Sequence, residues 1–415
     1  MRHVNSSLLR PLIAALCALT LLAVPLDGIA AASGKKKVQA AGNAGSWVKR
    51  FKPVYLDTAW SAANTRDGNV VVGIQTLGAR SSPNEMVLAK LDLRGQQLWQ
   101  ARVAGSDDGS GSQPCEIPMA LREAADGSLL VAGNRCRQSW PYAWFARLSP
   151  EAKLIWEAAP DTDTPIIPGK LPAQSYGWDV VEWPDGGVLG LGLHTGSGGF
   201  SLWMLDIAAD GRVNKQRADY NTLFDEYWWG VSGGAVDGRR ARVAFTVGEN
   251  RGDTRIGWLS RDLEFNEETR HSTPDSDEAR ALRATPDGGY CLLLARDYAR
   301  FLERHDATGA LLWRHSLNDY GTRLLALRDG GCVVGAGPES GATSLRLRKY
   351  AKDGEVAWSQ EIAGRWTPKS LLETPAGGLI VTGTEVPANY RGAVAYVMHI
   401  AAADLGKASL KPPVR

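Results

Sequence analysis

The chain has 415 residues and a mass of 44.7 kDa, with 44% hydrophobic and 22% charged residues, a balance that excludes general disorder. Its 46 glycines, 21 prolines and 15 tryptophans point to many short strands joined by tight turns in one large β-architecture. Lys plus Arg number 47 against 45 Asp plus Glu, so a net charge of +2 gives no electrostatic reason to expect nucleic acid or anionic lipid as a partner.

The first element is an address. Arg2 and Arg10 precede an apolar run from Pro11 to Val24, and small residues end at Ala30-Ala31-Ala32. That order predicts a secretory signal peptide over 1–32 and a periplasmic or secreted mature chain. The run is too short to span a bilayer comfortably. Cys17 follows Leu16 rather than a small residue, which does not suit lipid attachment. Residues 33–46, rich in Gly, Ala and Lys, read as a flexible linker. No later segment approaches 18 apolar residues without charge, so no transmembrane segment is expected in the mature chain.

From residue 47 to 409 one pattern returns seven times. A turn followed by a β-branched or apolar run occurs at Asp67-Gly68, Asp126-Gly127, Asp185-Gly186, Asp287-Gly288 and Asp329-Gly330. Ala376-Gly377 and a degenerate Asp237-Gly238 complete the set. Asp-Gly supplies the positive φ of two-residue hairpin turns. After most of these turns a further strand leads through Asp-x-x-Gly to a tryptophan, as in Asp92 to Trp99, Asp306 to Trp313 and Lys352-Asp353-Gly354 to Trp358. Leu148 to Lys153 likewise leads to Trp156, while Val213 and Phe265 stand near the Trp position in the third and fourth copies. Each copy thus offers four strands, and four-stranded units repeated radially make a propeller.

The last copy lacks its fourth strand, and Ser46-Trp47-Val48-Lys49-Arg50-Phe51 looks like that strand displaced to the front. The expected fold is therefore an all-β, seven-bladed β-propeller over 47–409, closed by an N-terminal strand completing the last blade, with a tail at 410–415. Asp306-Ala307-Thr308-Gly309-Ala310-Leu311-Leu312-Trp313 resembles the tryptophan-docking repeat of quinoprotein-like propellers, and the Asp-Gly-Gly copies resemble repeats of exported bacterial propellers. The resemblance implies blades locked by these tryptophans. The adjacent cysteine pair of quinone-binding relatives does not occur here, and no cofactor is expected.

Four cysteines remain after the signal peptide. Cys115 and Cys136 lie eleven before and ten after Asp126, nearly opposite in a hairpin, which predicts a disulfide between them. Cys291 and Cys332 point to opposite faces of equivalent strands, and buried free thiols are the expectation there. His194, His271, His305, His315 and His399 are scattered without metal-ligand spacing, and no metal is expected. Arg251-Gly252-Asp253 reads as an exposed turn rather than an adhesion motif.

Any ligand would sit at the central mouth, where the innermost strands begin. Counting back seven residues from each hairpin Asp gives Trp60, Met119, Trp178, Gly230, Arg280, Thr322 and Lys369, with Trp228 and Trp229 beside Gly230. Counting back ten gives Asp57, Glu116, Ser175, Tyr227, Asp277, Asp319 and Trp366. The candidate ligand-binding set is Trp60, Trp178, Trp228, Trp229, Asp277, Arg280, Asp319 and Lys369. Packing between blades is the plainer reading of these residues; an aromatic and acidic pocket for sugars, peptides or an organic cation is the functional one. The long segments Gly105–Glu116 and Ala159–Tyr176 add weight to a binding face. Two functions compete. One is a non-catalytic binding or scaffold propeller, expected to be a monomer, that takes a partner protein or small ligand at its mouth. The other is a periplasmic hydrolase or lyase with Asp277 or Asp319 as base and Arg280 or Lys369 holding an anionic group.

Overall fold

The computed structural model describes residues 45–51, 56–77, 84–105, 116–137, 140–159, 174–196, 199–222, 232–247, 253–271, 277–296, 299–317, 323–337, 344–386 and 392–407. The signal peptide, most of the linker, Cys115, Trp228, Trp229, Asp319, Arg251-Gly252 and the 410–415 tail lie outside the described residues.

Seven four-stranded antiparallel sheets form the blades. Their innermost strands, in chain order, are Leu56–Asn64, Ile117–Glu123, Ser175–Glu182, Ser232–Asp237, Asp277–Ala284, Arg323–Ala326 and Trp366–Glu373. Six blades are contiguous in sequence. The seventh takes Trp47–Arg50 as its outermost strand, pairing Trp47 with His399 and Arg50 with Tyr396. Each innermost strand touches the next blade, and Leu56–Asn64 touches blade seven, so the ring closes as a β-propeller.

Burial follows from the radial stack. Middle strands are covered on both faces by neighbouring blades, which is why Val70–Leu77 and Tyr290–Arg296 are buried over six consecutive residues instead of alternating. Outermost strands such as Leu311–Leu317 face solvent on one side and alternate.

The hairpin turns are longer than expected. In blade one Thr65 pairs with Asn69 and the Gly68 amide donates to the Thr65 carbonyl, so Asp-Gly ends a three-residue loop with its glycine at a φ of 80°. At this turn between first and second strands blade four has a two-residue loop instead, with Asp237 paired to Arg240.

Tryptophans lock consecutive blades. The indole nitrogens of Trp47, Trp156 and Trp313 donate to the carbonyls of Leu93, Ala209 and Lys352, each the second residue of the next blade's turn, at 2.9, 2.9 and 3.0 Å. A Cβ on Gly95 would come within 2.9 Å of the Trp47 ring and one on Gly211 within 2.7 Å of Trp156, so glycine there is set by the approach of the indole as well as by φ. Val213 and Phe265 do not take this role. Val213 packs with Trp156 and Trp203, and Phe265 meets Phe245 edge-on at 4.8 Å. Cations dock instead: Lys215 and Arg217 donate to the Asp262 and Leu263 carbonyls, and buried Arg242 donates to Ala307 at 2.9 Å while lying 4.5 Å from the Trp258 ring.

The expectation of free thiols at Cys291 and Cys332 is overturned. They form a disulfide, with Cα atoms 6.3 Å apart. In a radial stack one face of a blade meets the opposite face of the next, so residues on opposite faces of equivalent strands in blades five and six point at each other. Cys136 is also disulfide-bonded. Its partner lies outside the described residues.

Candidate site at the central mouth

The level seven residues before the hairpin Asp is a level of β-bulges. Ala59 pairs with Ile74 and Ser61 with Gly73, which leaves Trp60 as the extra residue. Trp178, Arg280 and Lys369 are the extra residues of blades three, five and seven in the same way. Met119 lies in the wider irregularity of blade two, between Ile117 and Ala120. A bulge bends the strand and re-aims its side chain. In blade four the irregularity falls between Gly233 and Val236, closer to the turn than in the other blades, and Gly230 lies outside the described residues.

These side chains meet others that the sequence reading passed over. Lys369 Nζ lies 4.3 Å from the centre of the Trp60 ring, across the seam between blades seven and one. The Trp60 indole donates to Gln75 Oε1 at 2.9 Å, which fixes the ring. Arg323 of blade six donates from Nε to the Lys369 carbonyl at 2.5 Å. Arg122 of blade two pairs with Asp179 of blade three at 3.0 Å. Arg283 of blade five lies within Coulombic reach of both, although blade four separates blades three and five. Blades that are not neighbours share an electrostatic environment only across the centre of the ring, so these groups mark the central channel.

Among the described residues four cations gather here: Arg122 and Arg283 lie near Asp179, Arg283 acts on Arg323, and Arg323 acts on Lys369. Burial, reinforced by the Arg323 charge, lowers Lys369 to about 8. Burial with the Arg283 charge lowers Arg323 to about 10, and burial partly offset by its ion pair with Glu278 lowers Arg280 to about 10. Extending the same count to four and six residues before the hairpin Asp would have found Arg122, Arg283, Asp179 and Arg323.

The ten-residue level behaves differently. Asp57 is buried and donates its amide to the Ala393 carbonyl; Ser175 Oγ accepts from the Ala143 amide. Asp277 is fully buried with Arg296 2.7 Å away, so it is held inside its blade. Glu116 is the exception in kind. It is buried at a φ of 59°, and burial, opposed by Arg135, raises its carboxyl to about 7.

A second cluster, absent from the sequence spacing, joins blades four and five. His271, Glu303 and His305 converge there, with their ligand atoms within 4.8 Å of one another.

No known family matches the chain, and no curated protein matches it in sequence. Solved structures do. A puromycin hydrolase structure aligns at 16% identity with a TM-score of 0.55 over 86% of this chain and 55% of its own, so the present chain spans about half of that protein. A periplasmic gluconolactonase of Pseudomonas aeruginosa aligns at 15% identity and a TM-score of 0.49 over 72% of this chain and 84% of its own. A streptogramin B lyase aligns at 13% and 0.49 over 85% of this chain and 97% of its own. At 16% identity the likeness to the puromycin hydrolase shows the propeller fold alone.

Proposed function

We propose that this chain is an exported, non-catalytic binding propeller that takes a small ligand carrying a carboxylate, phosphate or sulfate at its central mouth. The observation that carries the reading is Lys369 set over the Trp60 ring beside Arg323, an aromatic face and a cationic cluster in one place. Export is supported by the disulfide between Cys291 and Cys332, since such bonds persist in oxidising compartments. The indole contacts between blades support kinship with tryptophan-docking, quinoprotein-like propellers at the level of architecture.

The cationic lining favours an anionic ligand over the organic cation that an acidic mouth would have taken. The hydrolase or lyase alternative loses Asp277 as its base, because that carboxylate is engaged by Arg296. A scaffold role draws support from the outermost strands, where Leu154, Ile155, Leu311 and Leu312 are about half exposed. Mass spectrometry of molecules retained by the purified mature chain tests the main reading. A retained organic acid or phosphate ester, displaced by substitution of Lys369, supports it. Retention of a neutral or cationic compound, unaffected by that substitution, overturns it.

A further inference from the structure

His305 stands at the end of the third strand of blade five, with its ring stacked on Tyr290 at 4.6 Å and almost parallel to it. Its Nδ1 lies 2.9 Å from the Gly309 carbonyl. A carbonyl can only accept, so the proton sits on Nδ1 and the neutral ring turns the lone pair of Nε2 the other way. Facing that lone pair, 2.8 Å away, is Glu303 Oε2. Two acceptors at that distance repel unless a cation lies between them. From blade four, His271 Nε2 approaches the same oxygen to 3.4 Å and makes no hydrogen bond, with only 11% of the side chain exposed. Glu303 is fully buried, and its other oxygen accepts from Arg314 Nε at 2.7 Å.

We propose that His271, Glu303 and His305 form a zinc-type divalent cation site that clasps blade four to blade five. Two imidazole nitrogens and one carboxylate oxygen are a recognised ligand set for such an ion. Ligand atoms held about 2.0–2.1 Å from a tetrahedral ion stand about 3.3 Å apart, so the 2.8 and 3.4 Å separations from the Glu303 oxygen need shifts of a few tenths of an ångström, and the two imidazole nitrogens, within 4.8 Å of each other, close by about 1.5 Å at most. The outer partners are present as well. The Gly309 carbonyl fixes the His305 tautomer, and Arg314 orients the carboxylate, the kind of support that bound metals receive. The chemistry is independent of the mouth, which lies on the innermost strands. A proton shared between His305 and Glu303 is the competing cation.

The test uses the full mature chain after dialysis against a chelator. Zinc titrated against a chromophoric competitor should bind with one saturable equivalent, and the melting temperature should rise with added zinc by mass action. His271→Ala and Glu303→Gln should each weaken uptake by more than about tenfold, the smallest loss that removing even an outer-shell partner produces. His194→Ala, in blade three beside Trp203, should leave uptake unchanged. No saturable uptake by the unsubstituted chain would assign the cation to a proton and overturn the site. Uptake undiminished in both ligand variants would overturn it equally.

Discussion

Trp47 donates its indole N–H to the Leu93 carbonyl at 2.9 Å, joining the first described strand to the turn of blade one while its backbone completes blade seven. The ring is thereby fastened by one side chain contributed from outside the repeat order. Trp47 is 1% exposed, and truncating a buried tryptophan costs about 3–5 kcal/mol. Trp47→Ala should show that loss in denaturant unfolding. Deleting residues 33–52 should lower the melting temperature far more than deleting 33–45; equal effects would mean that the strand does not hold the ring.

The disulfide between Cys291 and Cys332 closes a separation of 41 residues across the seam of blades five and six. Chain entropy alone assigns such a loop about 4 kcal/mol. Peptide mapping without reduction should recover the two cysteines as one linked species. Cys291→Ala combined with Cys332→Ala should destabilise by about that amount, and two alkylatable thiols in the native protein would refute the pairing.

How far the sequence carried depends on what each signal encodes. Asp-Gly turns and docking tryptophans were legible because each demands a residue type: positive φ demands Gly68, and the approach of an indole demands Gly95. The mouth level was legible as a count from the turn, and the count misses the irregularity of blade four, which falls between Gly233 and Val236. What stayed hidden lies between blades. Cys291 with Cys332, and His271 with His305, are brought together by stacking angle, which no spacing along the chain records. The acid residues of the ten-residue level looked available for chemistry. Burial has consumed Asp277 in an ion pair.

Glu116 gives a pH signature. Its folded carboxyl titrates at about 7 against about 4.3 for an unfolded glutamate, because burial outweighs the attraction of Arg135. The fold therefore favours the protonated form. That contribution is complete below the unfolded value and is lost as pH rises through the folded one. Glu116→Gln keeps the shape and removes the ionisation, so its stability relative to the parent should be greater at pH 8 than at pH 4. A difference that does not change between those two pH values would show that the carboxyl titrates normally.

The mouth makes the remaining prediction, and it has an internal control. Trp313 donates to the Lys352 carbonyl and occupies a repeat position, so Trp313→Ala should lower stability and leave ligand affinity unchanged. Trp60 and Lys369 stand at bulges whose side chains differ from blade to blade, which is what recognition of one particular ligand requires and uniform packing does not. Trp60→Ala and Lys369→Gln should therefore weaken binding of a retained anion, or of inorganic phosphate used as a probe, while the fold survives; Trp178→Ala and Arg280→Ala should do so to a lesser degree. The pH dependence has two signs. With Lys369 titrating at about 8 in the fold and about 10.4 when unfolded, the unfolded chain binds more protons between those values, so stability rises with pH across that window. Anion affinity moves the opposite way, because the charged ammonium is the form that attracts the ligand and it is lost as pH passes 8. Titration calorimetry of the parent and Lys369→Gln from pH 6.5 to 9.5 separates the two. The parent should lose affinity across the range and the variant should be flat and weak throughout. Parallel curves would remove Lys369 from the site and leave Trp60 as a residue of the blade seam.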